Sequence, residues 1–259
     1  MSQPATSPSA LSVSLRRLAL APLLALATAG GFAQSAPKQF RVDPVRPVAE
    51  LLEEARRASP PRQPAGLRAS DLVDLTALDP TIRLDIRYAT ANNFLGTPVY
   101  RQARALLQRP AAEALVRAQR SLAGGGLGVI VYDAYRPWAV TWVFWQATPA
   151  HLHEFVADPA EGSVHNRGCA VDVTLVRLAD GALVEMPGSY DEMTERSHVD
   201  YAGGTYAQRA YRDLLRRTME AVGFTVFPPE WWHYDHRDWR LYAVANIPFE
   251  DIARARPVQ

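Results

Sequence analysis

The sequence predicts an α+β fold, on three observations. Strand pairs and helices follow one another without the regular βαβ rhythm of a doubly wound sheet. Cys169 to Val176 reads as a strand, Ala179-Asp180-Gly181 as a turn and Ala182 to Glu185 as its hairpin partner. Tyr206 to Val222 reads as a long helix with Gly223 as its stop.

The elements follow in order. Arg16-Arg17, the Leu/Ala run Leu18 to Ala29 and the small residues around Gly31-Phe32-Ala33 form a signal peptide over residues 1–33. An apolar run of about 12 residues is short for a hydrocarbon core of roughly 30 Å, although a short anchor or an unstructured tail is the alternative. Export by the general secretory route is therefore expected. In a Gram-negative cell that means the periplasm, with no stable membrane insertion after cleavage. Residues 34–69 form a Pro-rich arm in which Val48, Leu51, Leu52 and Ala55 repeat at helical spacing. The main domain is expected over residues 70–259.

Within it, Leu72 to Tyr88 alternates like strand structure, with Ile82, Leu84 and Ile86 against Arg83, Asp85 and Arg87. Asn92-Asn93 and Gly96-Thr97-Pro98 are loop chemistry. Pro110 suits the first turn of a helix that ends at Gly124-Gly125-Gly126. Leu127 to Tyr132 is a buried strand, Pro137 to Gln146 a Trp-rich helix, and Phe224 to Phe227 and Trp232 to Asp235 are short strands.

Composition narrows the chemistry. The chain has 259 residues, 28 Lys+Arg against 27 Asp+Glu, and 48% apolar residues. This is a globular composition with no electrostatic reason to expect nucleic acid as a partner. One cysteine excludes an intrachain disulfide and a Cys-rich zinc knuckle, so a metal site must use His and carboxylates.

Two segments supply such residues. In the first, His165 sits in a Ser/Asn/Gly-rich loop and Asp172 lies within a strand between Val171 and Val173. A carboxylate there costs several kcal/mol unless paired or bound to a cation. Alone, each also reads as an ordinary loop histidine and a salt-bridged structural aspartate. In the second, Pro228-Pro229 forbids a helix, so Glu230-x-x-His233 is not the helical zinc-protease motif. His165, Asp172 and His233 can make a three-ligand zinc site with a fourth position for water, leaving Glu230 to take the water's proton. Glu230 as a fourth ligand closing a structural site is the alternative. Cys169 reads as a buried small hydrophobe on the opposite strand face, and His151 and His153 as surface residues. His198 and His236 have no assigned role.

Ser163-x-His165-x-x-Gly168-x-Ala170-x-Asp172, followed by Glu230-x-x-His233, resembles the signature of the zinc D-Ala-D-Ala peptidases. Ile86-Arg87-Tyr88-Ala89-Thr90, Val131-Tyr132-Asp133-Ala134-Tyr135-Arg136-Pro137 and Ser189-Tyr190-Asp191 resemble one branch, the D-alanyl-D-alanine dipeptidases. The resemblance covers roughly residues 70 to 245. It implies a D-Ala-D-Ala metallopeptidase/hedgehog-like fold with a mixed, mainly antiparallel sheet and flanking helices. It implies one zinc ion on His165, Asp172 and His233, Glu230 as catalytic base, and Arg136 as the residue that steadies the oxyanion. It places Ser163 and Asp191 at the ends of a small zwitterionic dipeptide, Asp191 near the ammonium. The preference for D residues rests wholly on the resemblance. The rival readings are a D,D-carboxypeptidase or endopeptidase acting on peptidoglycan and a non-catalytic zinc or cell-wall-binding module.

Overall fold

Two sheets organise the computed structural model, which describes Met1 and residues 39–252. The chain divides into two units, Met1–Ala36 and Pro37–Gln259. The expected signal peptide thus falls outside the described residues, apart from Met1.

In the arm, α1 (Val48–Ala55) buries Val48, Leu51 and Ala55, one helical stripe. Removing a leucine side chain from water contributes roughly 2 kcal/mol, so this stripe holds the arm onto the domain. Where the alternating pattern predicts strand structure over Leu72 to Tyr88, the chain forms four short pieces, two of them strands: β1 (Leu72–Asp74), α2 (Leu75–Leu78), β2 (Arg83–Leu84) and a 3₁₀ turn (Arg87–Ala89). The reason is local. Asp74 caps α2 by accepting from Thr76 N at 3.1 Å, and Asp79 turns the chain at Pro80 by accepting from Thr81 N at 3.0 Å.

Next come β3 (Leu106–Gln108) and α3 (Arg109–Ala123), with Pro110 in the first turn of the helix. Gln119 is the polar exception on α3's buried face. Its Oε1 accepts from Val129 N at 2.8 Å and so ties the helix to β4 (Leu127–Asp133). Pro137 precedes α4 (Trp138–Ala147), which packs against α1. Then follow β5 (Ala170–Arg177) and α5 (Tyr206–Ala221), whose start is fixed by a capping box between Thr205 and Gln208. The last strands are β6 (Phe224–Phe227) and β7 (Glu230–His236). The expected hairpin partner at Ala182 to Glu185 shrinks to one bridge, Val176↔Leu183, where Leu183 is exposed.

β1 and β3 pair antiparallel. The main sheet has the order β2-β4-β5-β7-β6; β2 and β4 run parallel and every other neighbour antiparallel. That is an α+β fold with a mixed, mainly antiparallel sheet. β4, β5 and β7 are its central strands. β5 is buried along seven of its eight residues, so polar side chains on it face a dry interior.

Candidate active site

Register across the central strands brings the acidic and imidazole side chains together. Asp133 on β4 stands opposite Asp172 on β5, and Asp172 stands opposite His233 on β7. A break in the β6–β7 register, between Val226 and Phe227, matters equally. Strict alternation would send Glu230 and His233, three apart on one strand, to opposite faces. The irregularity turns both into one pocket, where Glu230 Oε2 lies 3.6 Å from His233 Nδ1.

His165 arrives from a 3₁₀ turn (His165–Arg167) closed by Gly168 at φ 68. A side chain at Gly168 would be strained there and would meet Leu72 Cδ2 at 2.5 Å, which makes this position a glycine. Ser163 Oγ accepts from His165 N at 3.2 Å, and Asn166 Nδ2 donates to the Arg136 carbonyl at 2.9 Å. The histidine turn and the arginine loop are therefore one rigid unit.

Three donor atoms converge. His165 Nε2 is 3.1 Å from His233 Nδ1, and each is 3.2 Å from Asp172 Oδ1. Ligands at about 2.0 Å around a tetrahedral ion lie about 3.3 Å apart, so the triangle has the size of one face of a zinc coordination shell. Each donor is aimed by an outer partner. His165 Nδ1 lies 2.6 Å from the Ala134 carbonyl, which can only accept, so Nδ1 carries the hydrogen and Nε2 offers a lone pair. His233 Nε2 donates to Asp235 Oδ1 at 2.8 Å, which turns the lone pair of Nδ1 inward. Tyr190 OH donates to Asp172 Oδ2 at 2.9 Å, while buried Asp172 Oδ1 has no hydrogen-bond partner. Lone pairs and an orphaned carboxylate oxygen facing one another call for a cation, and the residues fit one.

The electrostatics show a site that favours positive charge, whether a proton or a metal cation. Burial alone would raise the Asp172 carboxyl, but His165 and then His233 outweigh it and hold it well below the ordinary range. Burial disfavours charge on His233, but Asp235 and Asp172 push its pKa well above the usual value. Glu230 stands outside the donor triangle. Burial pushes its carboxyl up to about 7, against the opposing effect of His233. A carboxyl there can both take and return a proton near neutrality.

Arg136 donates through Nε and Nη2 to Asp133 Oδ2, at 2.9 and 2.7 Å, and lies 4.8 Å from the Phe144 ring centroid. Asp191 is the one non-glycine residue at positive φ among the described residues, at 58°. Tyr88 OH donates to its Oδ1 at 2.9 Å, and its buried Oδ2 has no partner. Burial pushes the Asp191 carboxyl well above the ordinary range, with Tyr88's hydrogen bond opposing. Ser163, Asp191, Arg136, Glu230 and all three donor residues line the same cavity, of about 210 Å³.

Asp133, Asp235 and the hydroxyls of Tyr88 and Tyr190 carry no role in the sequence reading, yet all touch site residues. Asp235 was accessible through strand alternation, since i and i+2 share a face with His233. Tyr190 pairs across a long loop, which local pattern does not reveal. Cys169 is fully buried, and burial pushes its thiol up to about 12. His153 is not a plain surface residue: it is half-buried, 3.8 Å from Trp145 between ring centroids, with Nε2 3.0 Å from the Thr148 carbonyl.

A family model described as D-ala-D-ala dipeptidase, Peptidase_M15, matches residues 68–251. The D-alanyl-D-alanine dipeptidase of Escherichia coli is 38% identical over 166 residues, covering 64% of this chain and 84% of its own. The enzyme of the same name from Enterococcus faecium is 37% identical over 175 residues, 61% of this chain and 87% of its own. A third, from Streptomyces coelicolor, is 36% identical over 171 residues, 59% and 85% of the two chains.

Proposed function

The chain belongs to the Peptidase_M15 family of D-Ala-D-Ala dipeptidases, and from that premise we propose that its pocket holds one zinc ion and hydrolyses D-alanyl-D-alanine to two molecules of D-alanine. The observation that carries this reading is the donor triangle of His165, Asp172 and His233, with Glu230 beside it but outside it.

Zinc, when bound, supplies Lewis acidity and brings the pKa of a coordinated water to about 7. The protein's own residues do the rest. Glu230 takes the proton of the attacking water, holds it in a site where its carboxyl titrates near 7, and returns it to the departing amine. Arg136, braced by Asp133, donates to the scissile carbonyl oxygen as negative charge develops there. Asp191 Oδ2, buried and unpartnered, receives the substrate ammonium beside Tyr88. The Ser163 hydroxyl already accepts from the His165 amide, so its hydrogen is free to donate to the substrate carboxylate.

A free ammonium is then a requirement. Acylating it would replace the charged donor with a neutral amide against the buried Asp191 carboxyl, a loss of about 2–3 kcal/mol. D-Alanyl-D-alanine is expected to be cleaved with a kcat/KM at least about 100-fold above that of N-acetyl-D-alanyl-D-alanine or a stem pentapeptide, a factor worth about 2.7 kcal/mol. A side-by-side kinetic comparison checks this. Faster trimming of the pentapeptide would move the assignment to a peptidoglycan carboxypeptidase.

The leader at residues 1–33 supports export, and we propose a periplasmic enzyme that scavenges the dipeptide. The expected result is recovery of the protein in the periplasmic fraction of its host with its N-terminus just after Ala33. An uncleaved cytoplasmic protein would overturn the proposal.

A further inference from the structure

Gln39 lies well outside the stretch matched by the family model, yet it bonds to the chain neighbours of two residues that line the substrate pocket. Its carboxamide is held at both ends. Nε2 donates to the Tyr190 carbonyl at 2.9 Å, and Oε1 accepts from Arg87 Nη1 at 2.9 Å. Each partner directly precedes one of the two residues assigned to the substrate ammonium, Arg87 before Tyr88 and Tyr190 before Asp191. Tyr88 and Asp191 are themselves hydrogen-bonded, so Gln39, Arg87, Tyr88, Asp191 and Tyr190 form a closed ring.

The ring supports backbone that needs support. Asp191 holds a left-handed conformation, φ 58, that side chains disfavour. Arg87 has little freedom to replace the contact. Its Nε is engaged by Asp85 Oδ2 at 2.7 Å, and its guanidinium lies 4.4 Å from the Tyr132 ring centroid. The arm is anchored next to Gln39: Val42 is buried and its amide donates to the Phe94 carbonyl at 3.0 Å. Signal cleavage after Ala33 would leave Gln39 on the mature chain.

We infer that Gln39 is a positioning residue for the ammonium end of the substrate. The N-terminal arm is a strap that fixes Tyr88 and Asp191 relative to each other and so sharpens selectivity for a free amino terminus. This rests on the reading that Asp191 and Tyr88 receive the ammonium.

The test is Gln39→Leu in the zinc-loaded full chain, assayed on D-alanyl-D-alanine and on propionyl-D-alanine, which has the same shape without the ammonium. A neutral hydrogen bond to the Tyr190 carbonyl and a charge-assisted one from Arg87 are lost, so KM for the dipeptide should rise about tenfold with kcat within about twofold. KM for propionyl-D-alanine should not move, so the selectivity ratio falls about tenfold. Gln39→Glu keeps the acceptor for Arg87 but sets an oxygen against the Tyr190 carbonyl. It should show the same KM shift, and it serves if the leucine variant folds poorly. Melting temperature and zinc content report whether fold or metal has changed instead. Equal losses on both substrates, or a fall in kcat at constant KM, would overturn the proposal. If the unmodified protein treats the two substrates alike, the ammonium assignment itself is wrong and the strap proposal falls with it.

Discussion

Glu230→Ala should retain zinc and lower kcat for D-alanyl-D-alanine by about 10²–10⁴-fold, the usual scale for losing a positioned proton carrier. Zinc should stay because Glu230 is not one of the three convergent donors, which keep their outer partners Ala134, Asp235 and Tyr190. Turnover should fall because no other carboxyl replaces it. Asp172 and Asp235 are engaged with His165 and His233, and Asp191 is turned to Tyr88. Metal analysis and steady-state kinetics on the same sample check both halves. Loss of zinc from Glu230→Ala would make Glu230 a ligand and the site a closed one. Undiminished turnover would remove it from the proton path.

His165→Ala should have the opposite signature, losing both metal and activity. Changes to the outer partners of metal ligands typically cost about 10–100-fold in affinity, and removal of a direct donor should exceed that. It would leave two donors, Asp172 and His233, in a pocket that Asp191 and Glu230 already make acidic. Asp235→Asn provides the contrast, since it keeps His233 but weakens the orientation of its ring. Zinc affinity should fall in the order of the native protein, Asp235→Asn, His165→Ala, measured by competition with a chelating dye. An unchanged affinity in His165→Ala would place the metal elsewhere.

Much of this site was legible because its chemistry is carried by residues whose types are restrictive. A carboxylate inside an otherwise apolar strand, as Asp172 is, demands a partner, and Glu230-x-x-His233 after two prolines could not be a helical motif. The helices were legible from Pro110, from Gly124 to Gly126 and from Gly223, which act locally. The stretch from Leu72 to Tyr88 was not, because capping by Asp74 and the turn at Asp79 override its alternation. Nor was the network behind the ligands. The Tyr190–Asp172 bond and the Gln39 bridge join residues far apart in the chain. Hydrophobic periodicity contains no information about those. The pairing of Glu230 with His233 on one face likewise depends on the break in β6–β7 register.

If His165, Asp172 and His233 hold a zinc ion, hydrolysis depends on that ion. The most direct test is to strip the protein of metal and titrate zinc back while following D-alanyl-D-alanine hydrolysis. Turnover should be absent from the stripped protein, rise in proportion to added zinc, and level off at one equivalent per chain. Hydrolysis that persists without metal, or that never returns with it, would rule out a catalytic zinc on these three side chains.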